Sequence, residues 1–424
     1  MYLMPKPKPF PHGVAIVGVG ISKFGAFPEK TSRDLFVEAF KELRHSVDKG
    51  FDPADIEALY LGNYSSDLFE GQGHTAPIMA DAVGLVPVPA MRLEDACASG
   101  GVALRQGAMA IASGMHDVVL VGGAERMTRL PTAQVTDTLG SAADTLYEIP
   151  AGFTFPGFYA AIATAYMHAY GMTPEQLMNV AIKNHENGAL NPKAQFGVTI
   201  PDWMQGRIAA AIKKGKPAPT WRDQWDFLHD DAANPMVAWP LRLFDCSPVT
   251  DGAACVLLVA ANRAREFTDD PIYIIGAGQA SDAPLHDRAD LTTLSAARKA
   301  SQMAYEQSGV RASDIRIAEV HDCFTIAEIV ACEDLGFFEP GTGYKAAEDG
   351  VTARDGARPI NTSGGLKAKG HPVGASGVAQ AVEIFKQMRG EAGARQVKGD
   401  IPLAVTHNVG ATGSTCVVHV YERR

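Results

Sequence analysis

A chain of 424 residues, 46% hydrophobic and 20% charged, has the composition of a globular protein with a sizeable core and length for two or three domains. Its 38 basic and 48 acidic residues give a formal charge of −10, which excludes a general basic footprint for nucleic acid while leaving room for a local patch that holds a small anion. The 42 glycines follow no triplet period and the longest apolar runs, such as 118–121 and 272–275, are strand-sized, so collagen, disorder and a membrane span are excluded as well.

The N-terminal stretch MYLMPKPKPFPHG is rich in Pro and Lys and has no apolar h-region, so it reads as a short extended arm rather than a secretory signal. GVAIVGVG (13–20) follows as a strand, then a helical stretch over Ser32–Val47 and a second strand in ADIEALYLGN (54–63). CASGGVALRQGAMAI (97–111) is a Gly-rich turn opening an Ala-rich helix, and DVVLVGGAE (117–125) is a strand ending in glycines. The same order returns later. PIYIIGAG (271–278), a helix from about Leu294 to Ser308, and SDIRIAEVHD (313–322) repeat the first elements at an offset of about 258. GASGVAQAVEIF (374–385) and IPLAVTHNVG (401–410) repeat the turn, helix and strand, the turn at an offset of 277. A period this long marks a domain duplication. Strands alternating with helices predict α/β halves with largely parallel sheets and ligand sites at the strand ends.

The stretch between the copies is predicted as a mostly helical insert that covers a site. It divides the chain into the first part of an N-terminal half (1–125), an inserted loop domain (126–245), return strands of the N-terminal half (246–268) and a C-terminal half (269–424). A Thr-Pro-Glu-Gln sequence starts the second of two helices within 157–192. All four tryptophans (203, 221, 225, 239) lie in this insert. They read as a cluster pinning a long loop, as an acyl-pocket lining centred on Trp221 and Trp225, or as a grip on a partner.

Four places carry residues for chemistry. Cys97 opens a helix, where partial positive charge and free N–H groups are expected to lower a thiol pKa; the alternative is an inert buried cysteine. In VHDCF, His321 and Cys323 are two apart, so on a strand they share one face. His371 stands in KAKGHPVGASG, on the turn that answers by repeat to the turn holding Cys97, and a pseudo-twofold axis brings the two together. THNVGATGS (406–414), with His407, Asn408 and Gly410, offers backbone N–H groups for an oxyanion. The six cysteines (97, 246, 255, 323, 332, 416) contain no CxxC pair, so neither a disulfide framework nor a zinc site is expected, and the chain is placed in a reducing cytoplasm.

At CASGG (97–101), SGGLKAKGHPVGASG (363–377) and the duplicated halves, the sequence resembles the thiolase superfamily. HDCF (321–324), HNVG (407–410) and PLRLFDCSPVTDGAACVLL (240–258) are similar to its sterol-carrier-protein/archaeal branch. The resemblance implies a five-layered α-β-α-β-α fold, an oligomer that is a homodimer or larger, and no metal or permanently bound cofactor, with acyl-CoA and coenzyme A as substrate and product. It implies Cys97 as nucleophile, His371 as its activator, Cys323 as acid/base, and His321 where other thiolases hold a water with Asn. It places Gly410 or its neighbour in the oxyanion hole, His407 where many thiolases carry a second cysteine, and Ser247 near the pantetheine path. It also implies a small zinc-ribbon/OB-fold partner, and no nucleic acid or membrane. The Trp-rich insert is longer than that branch usually carries, which makes a bulky or aromatic acyl-CoA plausible. The expected activity is that of a 3-oxoacyl-CoA thiolase. An acyltransferase or aldolase-like relative, or an idle acyl-CoA-binding subunit, is the alternative.

Overall fold

A computed structural model describes residues 8–424; the first seven residues, the start of the expected extended arm, lie outside them. The strands are β1 (Val14–Ile21), β2 (Ala58–Gly62), β3 (Ala90–Leu93), β4 (Val118–Glu125), β5 (Met236–Ala238), β6 (Leu241–Arg242), β7 (Gly252–Ala260), β8 (Ile272–Ser281), β9 (Ile317–Glu319), β10 (Leu403–Gly410) and β11 (Thr415–Arg423). β5 and β6 form a small ribbon, and the other nine make one sheet in the order β3-β2-β4-β7-β1-β8-β11-β10-β9. The order is symmetric about the β1–β8 seam, where three residues pair antiparallel. β1, β2, β4 and β7 thus mirror β8, β9, β10 and β11, and the bridge Ala318–Ile360 stands where β3 pairs in the other half.

The expected largely parallel sheet is corrected. Only β2–β3, β2–β4 and β9–β10 are parallel. β7 and β11, the return strands that follow the helices of each half, insert antiparallel between the older neighbours.

Period-two alternation sorts the strands' side chains onto two faces. Ala15 and Val17 of β1 pack with Leu35, Phe36, Ala39 and Leu43 of the outer helix Ser32–Ser46. Val14 and Ile16 face inward, with Ala103 and Leu104 of the helix Ser99–Ala112 and Val378 and Val382 of the helix Ser376–Met388. Every residue of Ser376–Met388 except Lys386 is buried, the pattern of a helix covered on all sides. The far half-sheet is covered by Ser295–Ser308 and Thr325–Asp334. The result is the five-layered fold. The two central helices touch at their first turns, where a Cβ on Gly100 would lie 2.9 Å from the Gly374 carbonyl oxygen and one on Gly377 would lie 2.3 Å from the Gly101 nitrogen. Only glycine allows this approach.

The insert builds its own small core. Met178, Ile182, Ile200, Met204, Phe227, Leu228 and Phe244 are buried in it, with Trp203, Trp221 and Trp225 packed around them. Trp221 donates its indole N–H to Asp230 at 2.7 Å, and the buried His185 stacks on Phe196 with ring centroids 5.7 Å apart. The Thr173–Gln176 capping box starts the helix Pro174–Ala189 as the sequence predicts. Among the described residues no helix is long and apolar enough to cross a membrane.

Candidate active site

The two central helices open on one cavity of about 160 Å³. Cys97, Cys323, His371, Ser247 and Cys246 line it together with apolar walls from Met127, Val135, Leu139, Phe155, Phe324, Val373 and Ala411. Val135 and Leu139 come from a short helix, Thr132–Gly140, of the insert. Trp221 and Trp225 do not line it, which corrects the acyl-pocket reading of those residues: their rings are spent on the separate core of the insert.

Backbone strain marks the two loops that meet at Cys97. Among the described residues, four non-glycines have positive φ, and two of these are Ala96 (φ 48), just before Cys97, and Ala411 (φ 53), just after Gly410. Ser99 holds the first loop by accepting the Asp95 N–H at 2.9 Å and donating to the Ala96 carbonyl at 2.6 Å. The second loop is seated closely against it, for a Cβ on Gly410 would fall 2.5 Å from the Asp95 carbonyl oxygen. The Ala411 N–H and the N–H of Cys97 itself face the Cys97 sulfur. The N–H opposite Cys97 is therefore that of Ala411, the neighbour of Gly410, and Gly410 supplies the clearance.

Burial pushes the Cys97 thiol up to about 12, the two N–H groups opposing this only in part. The expectation of a lowered pKa at the helix start is thus corrected: loss of water in an apolar cavity, helped by Glu125 and Glu94, outweighs the helix end. Cys97 rests as a thiol and needs a base. His371 is held down to about 3 by burial and then by the nearby Lys369 cation, so its ring is neutral.

The hydrogen-bond network assigns the ring protons. Ser376 Oγ lies 2.9 Å from the Pro372 carbonyl, which can only accept, and 2.7 Å from His371 Nδ1. The hydroxyl proton therefore goes to Pro372, Nδ1–H of His371 donates to Ser376, and Nε2 keeps its lone pair. Asn408 Oδ1 accepts the Gly101 N–H at 3.0 Å, which fixes its amide. Its Nδ2 then donates to the Cys97 carbonyl at 3.0 Å and to His321 Nδ1 at 3.1 Å, leaving the proton of His321 on Nε2. The rings of His321 and His371 stand nearly perpendicular with centroids 5.0 Å apart, and one donor atom each from Cys97, His321 and His371 lie within 4.8 Å of one another. They present a thiol, a lone pair and an N–H, an acid–base set rather than three lone pairs for a metal.

His321 and Cys323 lie past β9, which ends at Glu319, so the shared-strand expectation is corrected: the loop beyond the strand brings them to the site. Burial holds His321 well below its ordinary value, with His371 and His407 adding to this, and lifts the Cys323 thiol. Cys323 is fixed by the Ser247 N–H, which donates to its carbonyl at 2.9 Å. His407 sits behind His321, accepting its backbone N–H at 3.4 Å, and is outside the cavity lining. Ala411 is the neighbour of Gly410 that the resemblance left open, and sequence reasoning missed Val135 and Leu139. Only the apolar i, i+4 spacing of the last two was there to be read.

Residues 14–262 match the family described as "Thiolase, N-terminal domain", and residues 277–423 match "Thiolase C-terminal domain-like". The chain belongs to the thiolase family. Like the acetyl-CoA acetyltransferase of Methanothermobacter thermautotrophicus, to which it is 45% identical over 97% of its length and 99% of the relative's, this thiolase falls among the acyltransferases. It is 30% identical to the benzoylsuccinyl-CoA thiolase subunit BbsB of Thauera aromatica over 95% of both chains. The thiolase also aligns with a solved structure described as an Ltp2-ChsH2(DUF35) aldolase, with a TM-score of 0.77, 25% identity and coverage of 97% of this chain and 98% of that one. Its similarity to sterol carrier protein 2, at 29% identity to the Bos taurus protein over 98% of this chain and 74% of that one, places it in that branch of the thiolases.

Proposed function

We propose that this thiolase makes or cleaves the carbon–carbon bond of a 3-oxoacyl-CoA through an acyl-enzyme on Cys97, with coenzyme A as substrate and product. The observation that carries the reading is the convergence of a thiol, an imidazole lone pair and a second thiol on one apolar cavity, with a ring nitrogen of His321 within 4.8 Å of the Cys97 sulfur and of His371. Cys97 attacks the thioester carbonyl as its proton passes to His371 Nε2, and the N–H groups of Cys97 and Ala411 take the oxyanion. The departing CoA sulfur takes the proton of Cys323, which leaves Cys323 as a thiolate. That thiolate removes an α-proton from the second acyl-CoA, and His321 Nε2–H stabilises the enolate oxygen. The enolate attacks the acyl-enzyme and expels the Cys97 sulfur, which regains its proton from His371. Thiolysis is the same path reversed.

The cavity volume and its apolar walls support an acyl group larger than acetyl. A dry apolar cavity of roughly 150 Å³ holds a benzene ring, so a compact aliphatic or aromatic acyl group fits in size and polarity. Assembly as a homodimer or larger, and with a small partner protein, belongs to the same proposal; the two-component description of the aldolase structure supports the second part. That structure also favours a second reading, an aldolase-like carbon–carbon lyase, against which the presence of Cys97 at a strained turn stands. The complete set of acid, base and nucleophile tells against an idle acyl-CoA-binding subunit.

Intact-mass measurement after mixing with acetyl-, hexanoyl-, benzoyl- and a dicarboxylic acyl-CoA tests the proposal, with peptide mapping of the adduct. The expected result is a thioester on Cys97 that is absent in Cys97→Ser. Turnover of a 3-oxoacyl-CoA by Cys97→Ser would overturn it.

A further inference from the structure

The helix Phe155–Tyr170 delivers Phe155 and Pro156 to the cavity wall and then buries Tyr159 just behind it. The Tyr159 ring stacks on Phe324 with centroids 4.6 Å apart and planes 26° from parallel. Its hydroxyl is fully buried and has no hydrogen-bond partner. A phenol placed so loses its hydration uncompensated unless something receives its proton. The stack on Phe324 sets it beside Cys323, the preceding residue, and the ionisation of each of the two groups bears on the other.

We propose that Tyr159 is a positioning residue for Cys323: its hydroxyl donates to the Cys323 sulfur when that sulfur becomes a thiolate, while its ring holds the Phe324 side of the loop in place. This rests on the reading of Cys323 as the acid/base. Three features support it. The thiolate of Cys323 is otherwise costly, because burial raises its pKa and Cys97 and the adjacent Asp322 add to this, whereas Tyr159 is the first cause that lowers it. Burial keeps the phenol itself protonated, so it remains a donor throughout the cycle, even with the Arg288 guanidinium nearby. A neutral thiol accepts weakly and a thiolate strongly, so the bond strengthens only when charge appears on sulfur. The Thr136 and Ser247 hydroxyls share the cavity with Cys323, and the Phe324 backbone N–H also favours its thiolate; Tyr159 adds a donor carried by a helix and fixed by its ring stack.

Tyr159→Phe keeps the stack and removes the hydroxyl. The measurement is deuterium exchange at the α-carbon of acetyl-CoA in D₂O across a pH series, with the Cys97 acylation burst followed in parallel. Loss of the donor makes the thiolate harder to form, so the limb reporting it moves to higher pH by about one unit and exchange at neutral pH falls about 10-fold. The acylation burst and the KM stay as in the wild type. An unchanged limb and exchange rate in Tyr159→Phe, with exchange lost in Cys323→Ala, overturns the inference alone. Exchange that survives in Cys323→Ala overturns the reading of Cys323 and the inference with it. Loss of the burst together with exchange shows a merely structural tyrosine and overturns it too.

Discussion

Asn408→Asp tests the tautomer assignment on which the chemistry turns. The wild-type amide is fixed by three bonds: Oδ1 accepts from Gly101 at 3.0 Å, and Nδ2 donates to the Cys97 carbonyl at 3.0 Å and to His321 Nδ1 at 3.1 Å. An aspartate keeps the first bond, sets oxygen against oxygen at the Cys97 carbonyl, and turns the third around, since a carboxylate only accepts. His321 must then carry its proton on Nδ1 and lose the Nε2–H aimed at the enolate. The unmatched pair of oxygens costs about 1–3 kcal/mol of stability. The lost donor costs roughly 10²–10³ in the rate of carbon–carbon bond formation, the range for removing one oxyanion donor. Nitrogen-15 NMR of labelled histidine reads the tautomer, and rapid-quench kinetics separates acylation from condensation. A variant that still shows His321 protonated on Nε2, or that condenses at the wild-type rate with the tautomer switched, would refute the reasoning.

Leu139→Ala should open the cavity wall and raise kcat/KM for a longer acyl-CoA over acetyl-CoA by about 10-fold, the scale of a methylene or two in an apolar pocket; an unchanged preference across an acyl series would remove Leu139 from specificity. Trp221→Ala should lower stability by about 3–5 kcal/mol at most, as for a large aromatic in a small core, and leave acyl preference unaltered; altered preference would return this tryptophan to the pocket. His185 has its pKa lowered from 6.5 to about 3 by burial, then by Lys367. Between those values the unfolded chain binds a proton that the folded one refuses, so its contribution to stability falls as pH drops below 6.5. The stability advantage of the wild type over His185→Gln should therefore narrow by roughly 2–3 kcal/mol from pH 7 to pH 4.5, as read by urea unfolding; a constant difference would place His185 in water.

The duplicated architecture was legible because each copy repeats strand, Gly-rich turn and helix, and the pairing of Cys97 with His371 follows from placing the copies about an axis. Strand direction was not legible. β7 and β11 are as apolar as the parallel strands, and nothing local to GAACVLLVA tells an inserted antiparallel strand from a parallel one. The rise in the Cys97 pKa escaped for a related reason: a helix start is visible in sequence, while the depth of the cavity around it depends on Leu139, Phe155 and Val373 from three distant segments. Tryptophans invite a reading as pocket walls, yet Trp221 and Trp225 pack around the core of the insert. Ala411 could not be singled out, because its role lies in a backbone N–H that any residue possesses.

The glycine-to-glycine contact of the central helices bears on what half of this protein would be. Each half owns one of those helices but only one of the two surfaces that cover it, so a chain severed between Ala260 and Ile272 would leave two pieces, each with a bare apolar flank. The site would also be divided, Cys97 staying with the first piece and His371, His321 and Cys323 with the second. Reunion of the fragments would restore buried surface and chemistry in the same event. Regained turnover would then count assembled molecules directly, with no silent, correctly docked population to escape notice.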